Sequence, residues 1–402
     1  MARGKGEGGL YKDGRGFWTA TVELPPGLDG KRRRKVVRRK NKARARQELQ
    51  ELKDTVAKYG DVASSSMTVE KWLTYWIEKI VPGTVAPNTY SGRVNHVKSY
   101  LIPLLGRVKL DKLTAHHVRQ FKETMADMPA DKKTREKPKG EWPDGYKRLG
   151  KSAQSAAYAT LNAALKAAVE ERKVQFNAAE IAGPPTGGAV GKSQALSVEQ
   201  TARLLAYLTT HPQGAMWITY ILTGARRGEV LGLEADRITH DSIDLSWQLQ
   251  GFNKASIEAA RDDYELRHVR GNLYLSRPKS TSGWRILPLV DPLKSVLQLH
   301  MQHHDGDGLV FVDDEGQAYH PSMISRDWRA LLEEAGIDAD VKLHGVRHTV
   351  IDLLYDAGVP EQVIQQIAGH ANTDMTRAYK TRVNQGQAKL ALESLGEFIA
   401  KA

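Results

Sequence analysis

A nine-residue run near the middle of the chain, Gly183-Pro184-Pro185-Thr186-Gly187-Gly188-Ala189-Val190-Gly191, sets the first limit on any fold. Proline has no amide hydrogen to donate and clashes with a preceding helical turn, and glycine loses more freedom on ordering than any other residue. No helix or strand is expected to cross such a run, so the chain folds as separate bodies on either side of it. A second weak stretch, Gly60 to Ser66, cuts off the first sixty residues. At 402 residues two or three domains are expected, and these breaks place them at 1–60, 67–182 and 192–402.

Charge sets the first body apart. Residues 1–60 hold 17 Lys/Arg against 7 Asp/Glu, a net +10 out of +12 for the whole chain. Basic residues at this density neutralise phosphates and release condensed counterion, so a polyanion is the expected partner and a solvated tail the alternative. Alternation favours a folded module. Trp18, Ala20, Val22 and Leu24 fall on one face of a strand, and Phe17, Thr19, Thr21 and Glu23 on the other. Gly9-Leu10-Tyr11 offers a short first strand, and Pro25 to Gly30 a turn. Lys31, Arg32, Arg33, Arg34, Lys35, Arg38, Arg39 and Lys40 then line a basic returning strand and its end, and are the expected DNA contacts. Asn41 can cap a helix whose stripe is Ala45, Leu49, Leu52 and Val56. A small sheet of this kind fits a major groove.

The second body reads as four helices. Trp72, Leu73, Trp76 and Ile77 recur at helical spacing behind Thr68, and Tyr90, Val94, Val97 and Leu101 behind Asn88. Thr114 opens a third helix and Ser152 a fourth, with a polar, proline-broken surface loop at 129–151 between them. Ser197-Val198-Glu199-Gln200 is a capping box that opens the last body. That body is mostly helical, with strand-like runs at 244–247, 272–275 and 284–287. The expected fold class is therefore multidomain and mainly α, with small β-sheets. No apolar run approaches the roughly 20 residues that span a bilayer, and no apolar signal core follows Met1. With no cysteine, disulfides and thiolate metal sites are excluded, and an intracellular place near nucleic acid is the simplest fit.

Several side chains can carry chemistry. Arg226 follows Thr223-Gly224-Ala225 where an apolar helix restarts, and its planar fork suits two phosphate oxygens. Glu229, three residues on, shares a helical face with it and can orient a neighbour, although an Arg–Glu pair can equally be structural. His344 and Arg347 stand three apart in an apolar segment, an imidazole beside a guanidinium. Lys279 lies in a turn between strand-like runs, where a lysine is usually just solvated. Tyr379 follows His370 by nine positions; a phenol titrates near 10 and needs cationic neighbours to attack phosphorus. His300, His303 and His304 meet no converging ligands and read as a helix face, so no metal is expected. No Gly-rich phosphate loop is present, so no nucleotide cofactor is expected either.

These boxes, in this order, resemble the tyrosine recombinase family, specifically the phage-type integrases. Thr223-Gly224-Ala225-Arg226-Arg227-Gly228-Glu229 is similar to the family's first arginine box. Lys279 matches its hairpin lysine, with Ser282 and Arg285 following, and His344 and Arg347 its His-x-x-Arg. His370 matches the later histidine and Tyr379 the nucleophile, with Ala368 standing where leucine is commoner. The resemblance implies an arm-type DNA-binding domain, a helical core-binding domain and a mixed α+β catalytic domain. It implies a site-specific recombinase that integrates or excises a mobile element through a 3′-phosphotyrosyl intermediate, without cofactor. Arg226, Lys279, His344, Arg347, His370 and Tyr379 are the implied catalytic residues, with Glu229 in support. The implied partners are double-stranded DNA at core and arm sites, a homotetramer on that DNA, a host DNA-bending protein and a directionality factor, in the cytoplasm of a bacterial host cell. The tail, with Ala388, Leu390, Leu392, Leu395, Phe398 and Ile399, is expected to dock on a neighbouring copy, with packing on its own chain as the alternative. A tyrosine-based topoisomerase and an inactive DNA-binding regulator are the alternatives.

Overall fold

The computed structural model describes residues 9–25, 32–59, 67–186, 195–277, 284–304, 306, 308–369 and 385–401. The chain divides into two compact units, Met1–Pro82 with Thr89–Gly188, and Gly83–Asn88 with Ala189–Ala402. The fold is mainly helical with three small sheets among the described residues.

In the first unit, strands β1 (Gly9–Lys12), β2 (Trp18–Leu24) and β3 (Arg33–Arg39) pair antiparallel in that order. The register sets Ala20 opposite Val37 and Val22 opposite Lys35. Helix Lys42–Tyr59 begins where the Asn41 side chain accepts the amides of Ala43 at 2.8 Å and Arg44 at 3.2 Å. It covers one sheet face, where Ala20, Val22 and Leu49 are buried and Leu10, Val37, Leu52 and Val56 pack on them. Because side chains alternate along a strand, Arg34, Val36 and Arg38 point to the open face, and all three are exposed. Arg33 and Lys35 share the half-buried face of Val37, and Arg39 pairs with Glu48 at 2.8 Å. The basic strand is thus two-sided, and only part of its charge is free to meet a ligand. Lys31 lies outside the described residues.

The remaining helices of this unit follow the expected stripes. Thr68 accepts the Lys71 amide at 3.3 Å and opens helix Val69–Tyr75, which continues through the wider turn Trp76–Ile80. Helices Pro87–His96, Ala115–Ala126 and Lys151–Glu170 complete the set. Trp72, Leu73, Leu101, Val118, Phe121, Leu161 and Leu165 are buried, and the Trp72 indole donates to the Ala164 carbonyl at 2.9 Å. The stretch expected as a plain loop at 129–151 instead holds helix Lys132–Arg135, capped by Asp131, and one turn at Lys139–Glu141. A four-residue helix fixed by one side-chain cap and a three-residue turn leave no periodic signal.

In the second unit the Ser197 box forms as expected. Its hydroxyl accepts the Gln200 amide at 3.2 Å, and the Gln200 side chain accepts the Ser197 amide at 2.9 Å, opening helix Val198–Leu208. Helices Gly214–Thr223, Leu293–Met301, Ile324–Glu334, Leu343–Asp356 and Glu361–Ala368 share one large core with it. Among the described residues, five short strands appear where three runs were expected. β4 (Ser242–Asp244) pairs with β8 (Ile286–Pro288), while β7 (Leu273–Ser276) lies between β5 (Gln248–Gly251) and β6 (Leu266–Arg270). The runs flanking Lys279 therefore pair into different sheets among the described residues, not with each other as a hairpin would. His300 and His304 contact the carbonyls of Val310 and Leu309, both at 2.9 Å, which ties their helix to the next segment.

In the single chain the tail lies in cis. Helix Gln385–Ala400 packs on its own chain, with Ala391, Leu392, Leu395 and Ile399 buried in the core of this unit and Leu390 left exposed. Leu392 and Leu395 stand beside Leu222, Pro288, Val290 and Leu293 of the same molecule, which covers part of the apolar stripe in cis.

Candidate active site

Helix Gly214–Thr223 ends at Gly224, whose φ of 57° is left-handed and favours glycine. A Cβ there would also lie 3.2 Å from Val350, on helix Leu343–Asp356. This reversal leaves Arg226 extended as the N-cap of the short helix Arg227–Leu231. Gly228 lets that helix sit against β5, where a Cβ would stand 2.9 Å from the Leu249 carbonyl.

Glu229 is the hub. It is fully buried, accepts the Arg226 amide at 2.7 Å on Oε2, and accepts Arg226 Nη1 at 2.7 Å on Oε1. Arg285, which is only 1% exposed, donates Nη2 to Oε2 at 2.5 Å. Burial by itself would raise the Glu229 carboxyl, but the Arg285 and Arg226 charges and the Arg226 hydrogen bonds hold it below the ordinary carboxylate range.

Arg347 comes from the second turn of helix Leu343–Asp356 and is buried. Its Nη1 donates to the Gly224 carbonyl at 3.0 Å and its Nη2 to the Ala368 carbonyl. Burial, followed by the Arg285 and Arg226 charges, lowers its guanidinium to about 9, so it remains a cation at neutral pH. Arg226 Nη2 in turn donates to the Gly369 carbonyl at 3.0 Å, and Arg285 Nη1 to that of Ile367. The C-terminal carbonyls of helix Glu361–Ala368, which have no partner within a helix, are thereby each held by a different arginine.

Three guanidiniums against one carboxylate leave net positive charge. Arg226, with 40% of its side chain exposed, presents it to solvent. That arrangement suits an anion. His344 is exposed on the first turn of the Arg347 helix, with its ring 5.5 Å from that of His348. Burial, then His348, Arg347 and Arg226, push its imidazole below the usual value, so it is neutral at pH 7.

The structure thus brings together Arg226, Glu229 and Arg347. Lys279, His370 and Tyr379 lie outside the described residues. Arg285 is the residue that sequence reasoning passed over as a member of the site. Its signal was an arginine in an alternating strand, where Trp284 and Ile286 face out and Arg285 and Leu287 face in. An inward arginine requires a buried counter-charge.

Two family models match the chain: the phage integrase family over residues 194–385, and the phage integrase N-terminal SAM-like domain over 68–126. An integrase of Saccharopolyspora erythraea is 25% identical, with 93% of this chain and 92% of the relative covered. Among solved structures, the Tn1549 transposon integrase in complex with a circular intermediate DNA is similar at a TM-score of 0.58 and 17% identity, covering 82% of this chain and 95% of that one. The lambda integrase tetramer bound to a Holliday junction is similar at 0.52 and 13% identity, covering 92% and 98%. The chain belongs to the tyrosine recombinase family, as a site-specific recombinase of the phage integrase type.

Proposed function

We propose that this recombinase integrates or excises a mobile element by cutting and rejoining double-stranded DNA through a 3′-phosphotyrosyl link to Tyr379. The observation that carries the reading is the convergence of Arg226 and Arg347 on adjacent carbonyls, 143 and 21 residues away in sequence, around the buried Glu229. In this scheme the Tyr379 oxygen attacks the scissile phosphorus, and the bond to the 5′-oxygen breaks. Arg226 and Arg347 hold the non-bridging oxygens and stabilise the charge of the five-coordinate transition state. His344 and His370 assist by hydrogen bonding and proton transfer, and Lys279 protonates the departing 5′-oxygen. The phosphotyrosine keeps the energy of the phosphodiester, so attack by a partner strand's 5′-hydroxyl restores it without ATP.

The chain is organised for this as an arm domain at 1–60, a core-binding domain at 67–182 and a catalytic domain at 192–402. It works as a homotetramer on core and arm sites, with a host bending protein and a directionality factor, in the bacterial cytoplasm. The test is recovery of DNA covalently joined to the protein in its host. Sequencing that DNA gives the sites, and peptide mapping of the adduct gives the attached residue. Attachment at a tyrosine other than Tyr379 overturns the proposal, and relaxation of supercoils without joining of two duplexes assigns a topoisomerase.

Two further outcomes are expected. On the arm, Arg34→Ala should weaken DNA binding and reduce the slope of log affinity against log salt by about 1. Arg39→Ala, already engaged with Glu48, should change the slope less, as a filter-binding titration over a salt series will show. At the catalytic centre, protonating His344 removes its acceptor, and its lowered value places that event below the ordinary histidine range. With protein below saturation, the acid limb in the rate of covalent attachment should therefore lie on the acid side of the ordinary histidine range. An acid limb above pH 7 that disappears in His344→Gln contradicts this assignment.

A further inference from the structure

We infer that Arg285 is a positioning residue for the cleavage step, fixing Glu229 and the end of helix Glu361–Ala368 so that Arg226 meets the phosphate correctly oriented. The inference rests on the reading of Arg226 as a phosphate ligand. Arg285 is 1% exposed, so it does not itself reach DNA. Its two terminal nitrogens divide between two partners: Nη2 donates to Glu229 Oε2 at 2.5 Å, and Nη1 to the Ile367 carbonyl. Glu229 passes that constraint on, because the same Oε2 takes the Arg226 amide and Oε1 takes the Arg226 guanidinium. The Ile367 contact passes it on by a second route, since Arg226 also holds the carbonyl of Gly369, two residues along.

A planar fork is required for this bridge. Lysine keeps the charge but offers a single point, and it cannot direct two fixed donors at a carboxylate and a carbonyl together. Without the bridge, Glu229 can turn in its pocket, and Arg226 follows it. Misplacement of a reacting group by about an ångström costs on the order of 100-fold in rate.

The experiment uses the full chain on a nicked duplex carrying the site recovered from the covalent complex. Single-turnover attachment is followed with protein in excess, and DNA affinity and thermal unfolding are measured alongside. For Arg285→Lys the expected result is a rate constant about 10- to 100-fold lower, with the final amplitude and DNA affinity unchanged. A structural role alone moves other quantities: the amplitude falls with the folded fraction while the rate constant holds, and that result overturns the proposal. Equal loss of rate and affinity overturns it as well. Arg285→Gln, which can still donate to Ile367, is the second variant, and unfolding of both assigns Arg285 to folding alone. Failure of the unmodified protein to form any adduct counts against the phosphotyrosyl reading itself, and so is distinguishable.

Discussion

Tyr379→Phe should bind its DNA site as tightly as the unmodified protein and form no covalent adduct on a nicked suicide duplex. Only the phenolic oxygen is removed, so the packing volume and every cationic contact described here are kept. A phenol is a poor nucleophile at neutral pH, and on the proposed mechanism the guanidiniums of Arg226 and Arg347 compensate. The proposed mechanism commits the chemistry to one oxygen atom, so the expected effect is complete loss of adduct on a denaturing gel, with retention of the shifted complex on a native one. Residual adduct at a few per cent of wild type would place the attacking group elsewhere in the chain.

Glu229→Ala is expected to act on the fold itself. The carboxylate has no exposed surface, and its removal leaves the guanidinium of Arg285 inside the protein on the Ile367 carbonyl, without its counter-charge. Breaking a buried ion pair from one side costs about 3–5 kcal/mol, because the surviving charge is left without compensation. The catalytic unit should unfold at correspondingly lower denaturant, while Glu229→Gln, which keeps an acceptor, loses less. Acid should imitate the change. The folded carboxyl titrates below its ordinary value, so its contribution is full above the ordinary carboxylate range and disappears as pH falls through the lowered value. A change under about 1 kcal/mol in Glu229→Ala would mean that solvent reaches this pair.

Much of the architecture was legible because it rests on local rules. Asn41, Thr68 and Ser197 cap helices where short polar side chains precede apolar stripes, and the alternation of Trp18 to Leu24 gives the central strand of the arm. What was not legible depends on the third dimension. β5 and β6 are short and half-polar, and they exist because β7 lies between them. The tail stripe reads as a surface for another copy, and its contact with Leu222 and Leu293 in the single chain is not visible in the sequence. The pairing of Arg226 with Glu229 was readable from a spacing of three. Its link to Arg285, 56 residues on, was not, since periodicity records which way a side chain faces and not what it meets.

The two sets of arginines in this molecule live in different solvents. Those on the open face of β3 stand in water, where dissolved ions crowd around them and shorten their reach to about 8–10 Å at ordinary ionic strength. Arg285 and Arg347 are sealed away from those ions. Brine will therefore loosen the outer grip long before the inner one feels it, and how readily the molecule takes hold and how well it then works become separately adjustable properties.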